Sequence, residues 1–96
     1  MSQLSIVAIF TIKPEFAAEF KTEFKKIVDA SRQEAGCIAY HLNQDINHRD
    51  IYVFTEIWAS QQAIDEHNAT PHFKHFKAFI ENKLSSRQAH ILAQVF

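Results

Sequence analysis

Two side chains, Glu56 and His67, invite a chemical reading before anything else in the 96-residue chain. Strand-like alternation over Ile51 to Trp58 places Glu56 on one face with Tyr52, Phe54 and Trp58, and Ile51, Val53, Thr55 and Ile57 on the other. A few residues later the period changes to that of a helix. Ser60 stands at an N-cap position, and His67 falls between Ala63 and Ile64 on the wheel, at the centre of the apolar face. A carboxylate among aromatic rings is costly unless partnered, and an imidazole can be its partner. Each alone reads more simply as a structural residue: a core histidine, or a strand-end acid reached by water. Together they predict a base oriented by an acid in a dry pocket, where pKa values move into the working range.

Other candidates carry less. His72 lies on the flank of the next helix and is grouped with the residues expected to contact a substrate. His75 falls opposite the phenylalanine stripe and is expected in solvent. Their three-residue spacing could chelate a metal, but no third ligand stands in register, so no metal is expected. His41, His48 and His90 join no motif. Cys37 is alone, so it forms no internal disulfide, and nothing in the sequence lowers its pKa.

The elements that must position these groups are short and well punctuated. Leu4 to Ile12 is a strand apolar on both faces, with Leu4, Ile6, Ala8, Phe10 and Ile12 on one side and Val7 and Ile9 on the other. Pro14 opens a helix to about Glu34 whose inner stripe is Phe16, Phe20, Phe24, Ile27, Val28 and Ser31, and Gly36 fits its stop. Cys37 to Asp45 follows as a strand showing Ile38, Tyr40 and Leu42 on one face and Cys37, Ala39 and His41 on the other. Ile46 to Arg49 makes the turn into Ile51 to Trp58. Thr70 and Pro71 start a third helix through Phe73, Phe76 and Ile80, and Arg87 to Phe96 is expected to close the chain as a fourth strand.

Strand, helix, strand, strand, helix pair, strand makes an α+β, ferredoxin-like βαββαβ sandwich: a four-stranded antiparallel sheet with its helices on one face, in a single domain over residues 1–96. Strands apolar on both sides leave the second face needing cover, and a homodimer through the sheet faces supplies it, as in a dimeric alpha-beta barrel. Ten Lys and Arg against eleven acids give no footprint for nucleic acid. One glycine excludes Gly-rich phosphate cradles, so neither nucleotide nor flavin is expected as a cofactor. No signal-like leader or membrane-length apolar run is present, and a soluble, cytoplasmic protein is expected.

Three motifs, E-x-G-C-x-x-Y at Glu34 to Tyr40, T-E-I-W at Thr55 to Trp58 and H-x-x-T-P-H-F at His67 to Phe73, make the chain resemble the antibiotic biosynthesis monooxygenase domain family over nearly its whole length. The likeness is to small quinol monooxygenases and to the isomerase of the phosphorylated autoinducer-2 signal. It implies a dimeric fold with a pocket between sheet and helices. The haem-degrading relatives have tryptophan at the position of His67 and histidine at that of Lys77, which argues against haem oxygenation.

The reading that follows is a cofactor-independent monooxygenase for a small hydroxylated aromatic or quinol. His67 would take the substrate's hydroxyl proton and Glu56 would hold the imidazole, while Tyr40, Phe54, Trp58, Phe73 and Phe76 exclude water and stack the ring. The alternative is a proton-transfer isomerase of a small hydroxyketone, its phosphate met by Arg87, Lys13 or Lys83. A non-catalytic, ligand-binding dimer needs neither titrating group.

Overall fold

The computed structural model describes residues 3–96, and among them the order is β1 (Leu4–Ile12), a 3-10 turn (Pro14–Phe16), α1 (Ala17–Arg32), β2 (Cys37–Gln44), β3 (Ile51–Trp58), α2 (Gln61–Asn68), α3 (Pro71–Ile80) and β4 (Leu84–Leu92). The four strands form one antiparallel sheet in the order β2-β3-β1-β4, which is the ferredoxin-like α+β arrangement. Alternation decides what each face carries. Ala8, Phe10 and Ile12 of β1 and Phe54, Glu56 and Trp58 of β3 point to the helices and are buried, joined there by Phe20, Phe24 and Ile27 of α1 and by Phe76 and Ile80 of α3. Aromatic rings knit the layers: Phe54 meets Phe10 at 5.4 Å, Phe24 at 5.6 Å and Phe76 at 6.0 Å. On the opposite face the register aligns Val7 with Thr55 and His90, Ile9 with Val53, and Ser5 with Ile57 and Leu92, and no described element covers them.

Several boundaries differ from expectation for physical reasons. The long first helix begins as a single 3-10 turn at Pro14 and ends at Arg32, two residues short of Glu34. β2 carries a bulge between Cys37 and Ala39, so Cys37 pairs with Trp58 on the core side and Ile38 turns out to 51% exposure. The expected faces of those two residues are therefore exchanged, while Tyr40 stays buried. β4 starts at Leu84 rather than Arg87 and stops at Leu92, where its ladder reaches Ser5 near the start of β1 and ends among the described residues.

Gly36 works by close approach and not by backbone freedom, since no glycine here has a positive φ. A Cβ at Gly36 would run into Cβ of Ala63 on α2, and its carbonyl accepts the Ala59 N–H at 2.9 Å. This contact seats the start of α2 against the α1–β2 connection and so fixes where His67 arrives. Gly36→Ala is expected to cost about 1–3 kcal/mol through overpacking. A denaturant midpoint equal to that of the parent protein would show that α2 shifts freely.

Candidate active site

A cavity of about 460 Å³ opens between the sheet and the helix pair α2 and α3. Phe10, Tyr40, Phe54 and Glu56 rise into it from the sheet, and His67, Phe73 and Phe76 descend from the helices. Its walls are mainly apolar, with few polar groups, the usual make-up of a small-molecule site.

His67 sits in the last turn of α2 and is only 2% exposed. Local chemistry brings it there. Ser60 caps α2 by accepting the Ala63 N–H at 3.1 Å, and Thr70 joins α2 to α3, donating its hydroxyl to the His67 carbonyl at 2.7 Å and accepting the Phe73 N–H at 3.2 Å. The imidazole is boxed by Trp58 at 4.5 Å, Phe73 at 4.9 Å and Tyr40 at 6.0 Å between ring centroids.

The acid on the imidazole is Glu34 and not Glu56. Glu34 Oε2 lies 2.7 Å from His67 Nδ1 and 2.6 Å from His72 Nε2. As an acceptor-only group, the carboxylate fixes His67 in the tautomer that carries its hydrogen on Nδ1. That leaves Nε2, which has no protein partner among the described residues, as the basic atom on the cavity side. Burial holds the His67 pKa below its ordinary 6.5; the hydrogen bond and charge of Glu34 oppose that shift and His72 adds to it. The base is therefore neutral near pH 7.

Glu34 stands just beyond the C-terminal end of α1, where the helix dipole disfavours negative charge and the two imidazoles compensate. Sequence reasoning missed its role because it lies at a helix end, outside any periodic stripe, 33 residues from the histidine it meets. The available signal was its place in the E-x-G-C motif. Ligand atoms of Glu34, His67 and His72 lie within 4.8 Å of one another, the only such metal-capable trio among the described residues. Separations of 2.6 and 2.7 Å are those of hydrogen bonds, whereas ligands about 2 Å from a tetrahedral zinc stand about 3.3 Å apart. The trio fits a hydrogen-bonded chain.

Glu56, 7% exposed, takes a different part. Its Oε1 accepts the Trp58 Nε1–H at 2.8 Å, so these two inward residues of β3 pair along their own strand. Burial raises its pKa to about 7; the Trp58 N–H opposes the shift and the charge of Glu34 adds to it. Across the cavity, then, a carboxyl that holds its proton to near neutrality faces an imidazole that stays unprotonated. Pairs displaced this way divide into acid and base. Burial, then the charge of Glu56, pushes the Tyr40 phenol far above its ordinary 10, so it remains a hydrogen-bond donor. The Cys37 thiol is pushed up by burial, then by Glu34 and Glu56, which disfavours the thiolate.

Of the residues expected to touch a substrate, Tyr40, Phe54, Phe73 and Phe76 line the cavity and two do not. Trp58 is completely buried beneath it, its indole spent on Glu56 and on stacking with His67. His72, whose side chain is 27% exposed, faces the groove between α1 and α3 beside Glu23, Lys26 and His75, because Glu34 draws its ring away from the cavity. Arg87 lines the cavity mouth, but Lys13 and Lys83 do not: Lys13 donates to the Asn82 carbonyl at 3.0 Å and Lys83 lies over the Phe79 ring at 4.8 Å. Lys74 and Lys77, which sequence reasoning did not weigh as anion partners, line the cavity in their place.

Comparison with known proteins bears on the family and the fold. The chain is 34% identical to the Bacillus subtilis protein named "Putative monooxygenase YcnE" over 82% of its own length and 83% of that protein's. It is 34% identical to the Synechocystis protein sll1783, over 68% of this chain but only 44% of that longer protein, so it spans less than half of that relative. The solved structure of PA3566 from Pseudomonas aeruginosa superposes with a TM-score of 0.91 at 29% identity, covering 100% of this chain and 97% of the other. Residues 4–78, from β1 through most of α3 and including Glu34, Glu56 and His67, match the family model described as antibiotic biosynthesis monooxygenase, and the chain belongs to that family.

Proposed function

We propose that the protein is a cofactor-independent monooxygenase acting on a small hydroxylated aromatic or quinol. What carries the reading is the free Nε2 of a neutral, Glu34-tied His67 opposite a protonated Glu56 in an aromatic cavity. His67 Nε2 takes the substrate's hydroxyl proton, and the electron-rich anion passes an electron to O₂. Recombination of the two radicals forms a carbon–oxygen bond at the activated ring carbon, giving a peroxide. Glu56 protonates its distal oxygen; loss of the ring C–H proton, which returns to Glu56, forms the new C=O as the O–O bond breaks, and the departing hydroxide takes the proton held by His67 and leaves as water, completing the quinone. Tyr40, Phe54, Phe73 and Phe76 exclude water from the anion and stack the ring. The uncovered apolar sheet face, with Val7, Ile9, Val53 and Ile57, supports a homodimer through that face.

Oxygen uptake with a panel of quinols, scored against enzyme-free autoxidation, is the direct test. His67→Ala is expected to lower turnover by about 10²–10⁴-fold. No oxygen consumption above background with any quinol sinks the oxygenase reading, and an unchanged rate in His67→Ala removes His67 from it.

A second reading, proton-transfer isomerisation of a small hydroxyketone, is favoured by one observation: a carboxyl that keeps its proton to about pH 7 and an imidazole held neutral by burial line one cavity with Arg87 at its mouth. Turnover of a phosphorylated hydroxyketone under anaerobic conditions would select it. Silence in both assays would leave a ligand-binding dimer.

A further inference from the structure

We infer that Lys74 and Lys77 of α3 and Arg87 of β4 form an anion subsite at the cavity mouth, which selects substrates carrying a carboxylate or phosphate at the end away from His67. The inference rests on the cavity being the reactive site proposed above. Lys74 and Lys77 lie one helical turn apart and so share a face, and both line the cavity. Arg87 is the β4 residue paired with Phe10, and its guanidinium stands 5.7 Å from the centre of that ring, over the cavity's aromatic wall. The only acid among the lining residues is Glu56, which keeps its proton to about pH 7. Three cations therefore line one cavity that holds no other acid, and Glu81, which lies beside Lys77 and Arg87 in a neighbouring surface hollow, makes a salt bridge to neither among the described residues.

The contrast with the rest of the surface is informative. Lys25 pairs with Asp29 at 2.8 Å and Lys26 with Glu23 at 3.3 Å, whereas Lys74, Lys77 and Arg87 enter no salt bridge or side-chain hydrogen bond among the described residues. The whole chain is slightly acidic, with a formal net charge of -1, so a positive mouth is not a by-product of a basic protein. Cations at the rim of a low-dielectric hollow both draw in an anionic ligand and orient it. A guanidinium grips carboxylate or phosphate through paired N–H donors, while each ammonium adds a point charge. With the anion held there, the ligand's apolar end enters the region of Phe54, Phe73 and Phe76, where His67 and Glu56 wait.

Binding without turnover tests this. Two matched pairs are titrated by NMR: 2,5-dihydroxybenzoate against its neutral amide, and dihydroxyacetone phosphate against dihydroxyacetone. At least one anion is expected to bind about tenfold or more tightly than its neutral twin, as a charged hydrogen bond would give. That preference should shrink in about 0.5 M salt and vanish in the Lys77→Gln/Arg87→Gln variant, whose changes lie at exposed positions. Which pair shows the effect identifies carboxylate or phosphate. Equal binding within both pairs, no detectable binding of either anion, or a preference that persists in the variant overturns the subsite. Absent oxygen uptake would overturn the oxygenase alone and leave a measured anion preference standing.

Discussion

Glu34→Gln is expected to lower kcat/KM by about 10²-fold or more while leaving the fold intact, although Glu34 reaches no substrate. The residue acts through His67. Its Oε2 fixes the Nδ1–H tautomer, which is what leaves Nε2 free for the cavity, and its hydrogen bond, then its charge, opposes the loss of basicity that burial imposes on the imidazole. An amide of the same shape carries no charge, and where its NH₂ takes the place of Oε2, which both imidazoles share, it donates to the His67 Nδ1 instead of accepting from it. The imidazole can then flip tautomer and present Nε2–H to the substrate, which is useless for taking a proton. Two readings separate this from a packing defect. The NMR titration midpoint of His67 should fall further below its ordinary 6.5 once the carboxylate that raises it is gone, and Glu34→Asp should restore part of the rate. If the midpoint stays in place and kcat/KM changes by less than about threefold, Glu34 only packs the helix end.

How much of this was legible in the sequence depends on which interaction sets each feature. Alternation along Ile51–Trp58 placed Glu56 with Phe54 and Trp58 toward the helices, because a period of two is a property of the strand itself, and helical spacing put His67 inward for the same reason. The bulge at Cys37 was invisible, since it answers to the pairing of Cys37 with Trp58 and to α2 lying against Gly36. The end of β4 answers to the length of β1, a neighbour 72 or more positions away in sequence. Glu34 and the lysines of α3 escaped for a shared reason. A residue at a helix end, or on a helix's outer face, looks solvated until tertiary packing brings another element beside it. Glu56 was correctly seen as a buried carboxyl needing a partner, but strand geometry alone offered Trp58 two residues on, and that local donor is the one it uses.

That local donor makes Glu56→Gln a clean probe, because the amide oxygen can still accept the Trp58 N–H. Burial raises the folded-state pKa of Glu56 from its ordinary 4.5 to about 7, with Trp58 opposing and Glu34 adding to the shift. Between those two values the unfolded chain releases its proton while the folded one retains it, so the unfolded state binds fewer protons and stability falls as pH rises. The contribution of this carboxyl is fully present below about pH 4.5 and lost by the time pH passes about 7, a change of about 3 kcal/mol. Glutamine has no such titration. Relative to the parent, Glu56→Gln should therefore gain stability progressively from about pH 4.5 to 7 and keep a constant advantage above that, as read by chemical denaturation across the range. In catalysis the same proton matters with opposite consequence. A neutral His67 and a protonated Glu56 coexist only between the two titrations, giving a kcat/KM profile that rises through a limb below 6.5 and falls through one near 7, both belonging to the coupled pair. Glu56→Gln should turn over more slowly, by about 10²-fold, and should lack the falling limb. A stability difference that is flat with pH would mean that Glu56 titrates as an ordinary exposed carboxylate, and the acid half of the mechanism would have no proton to give.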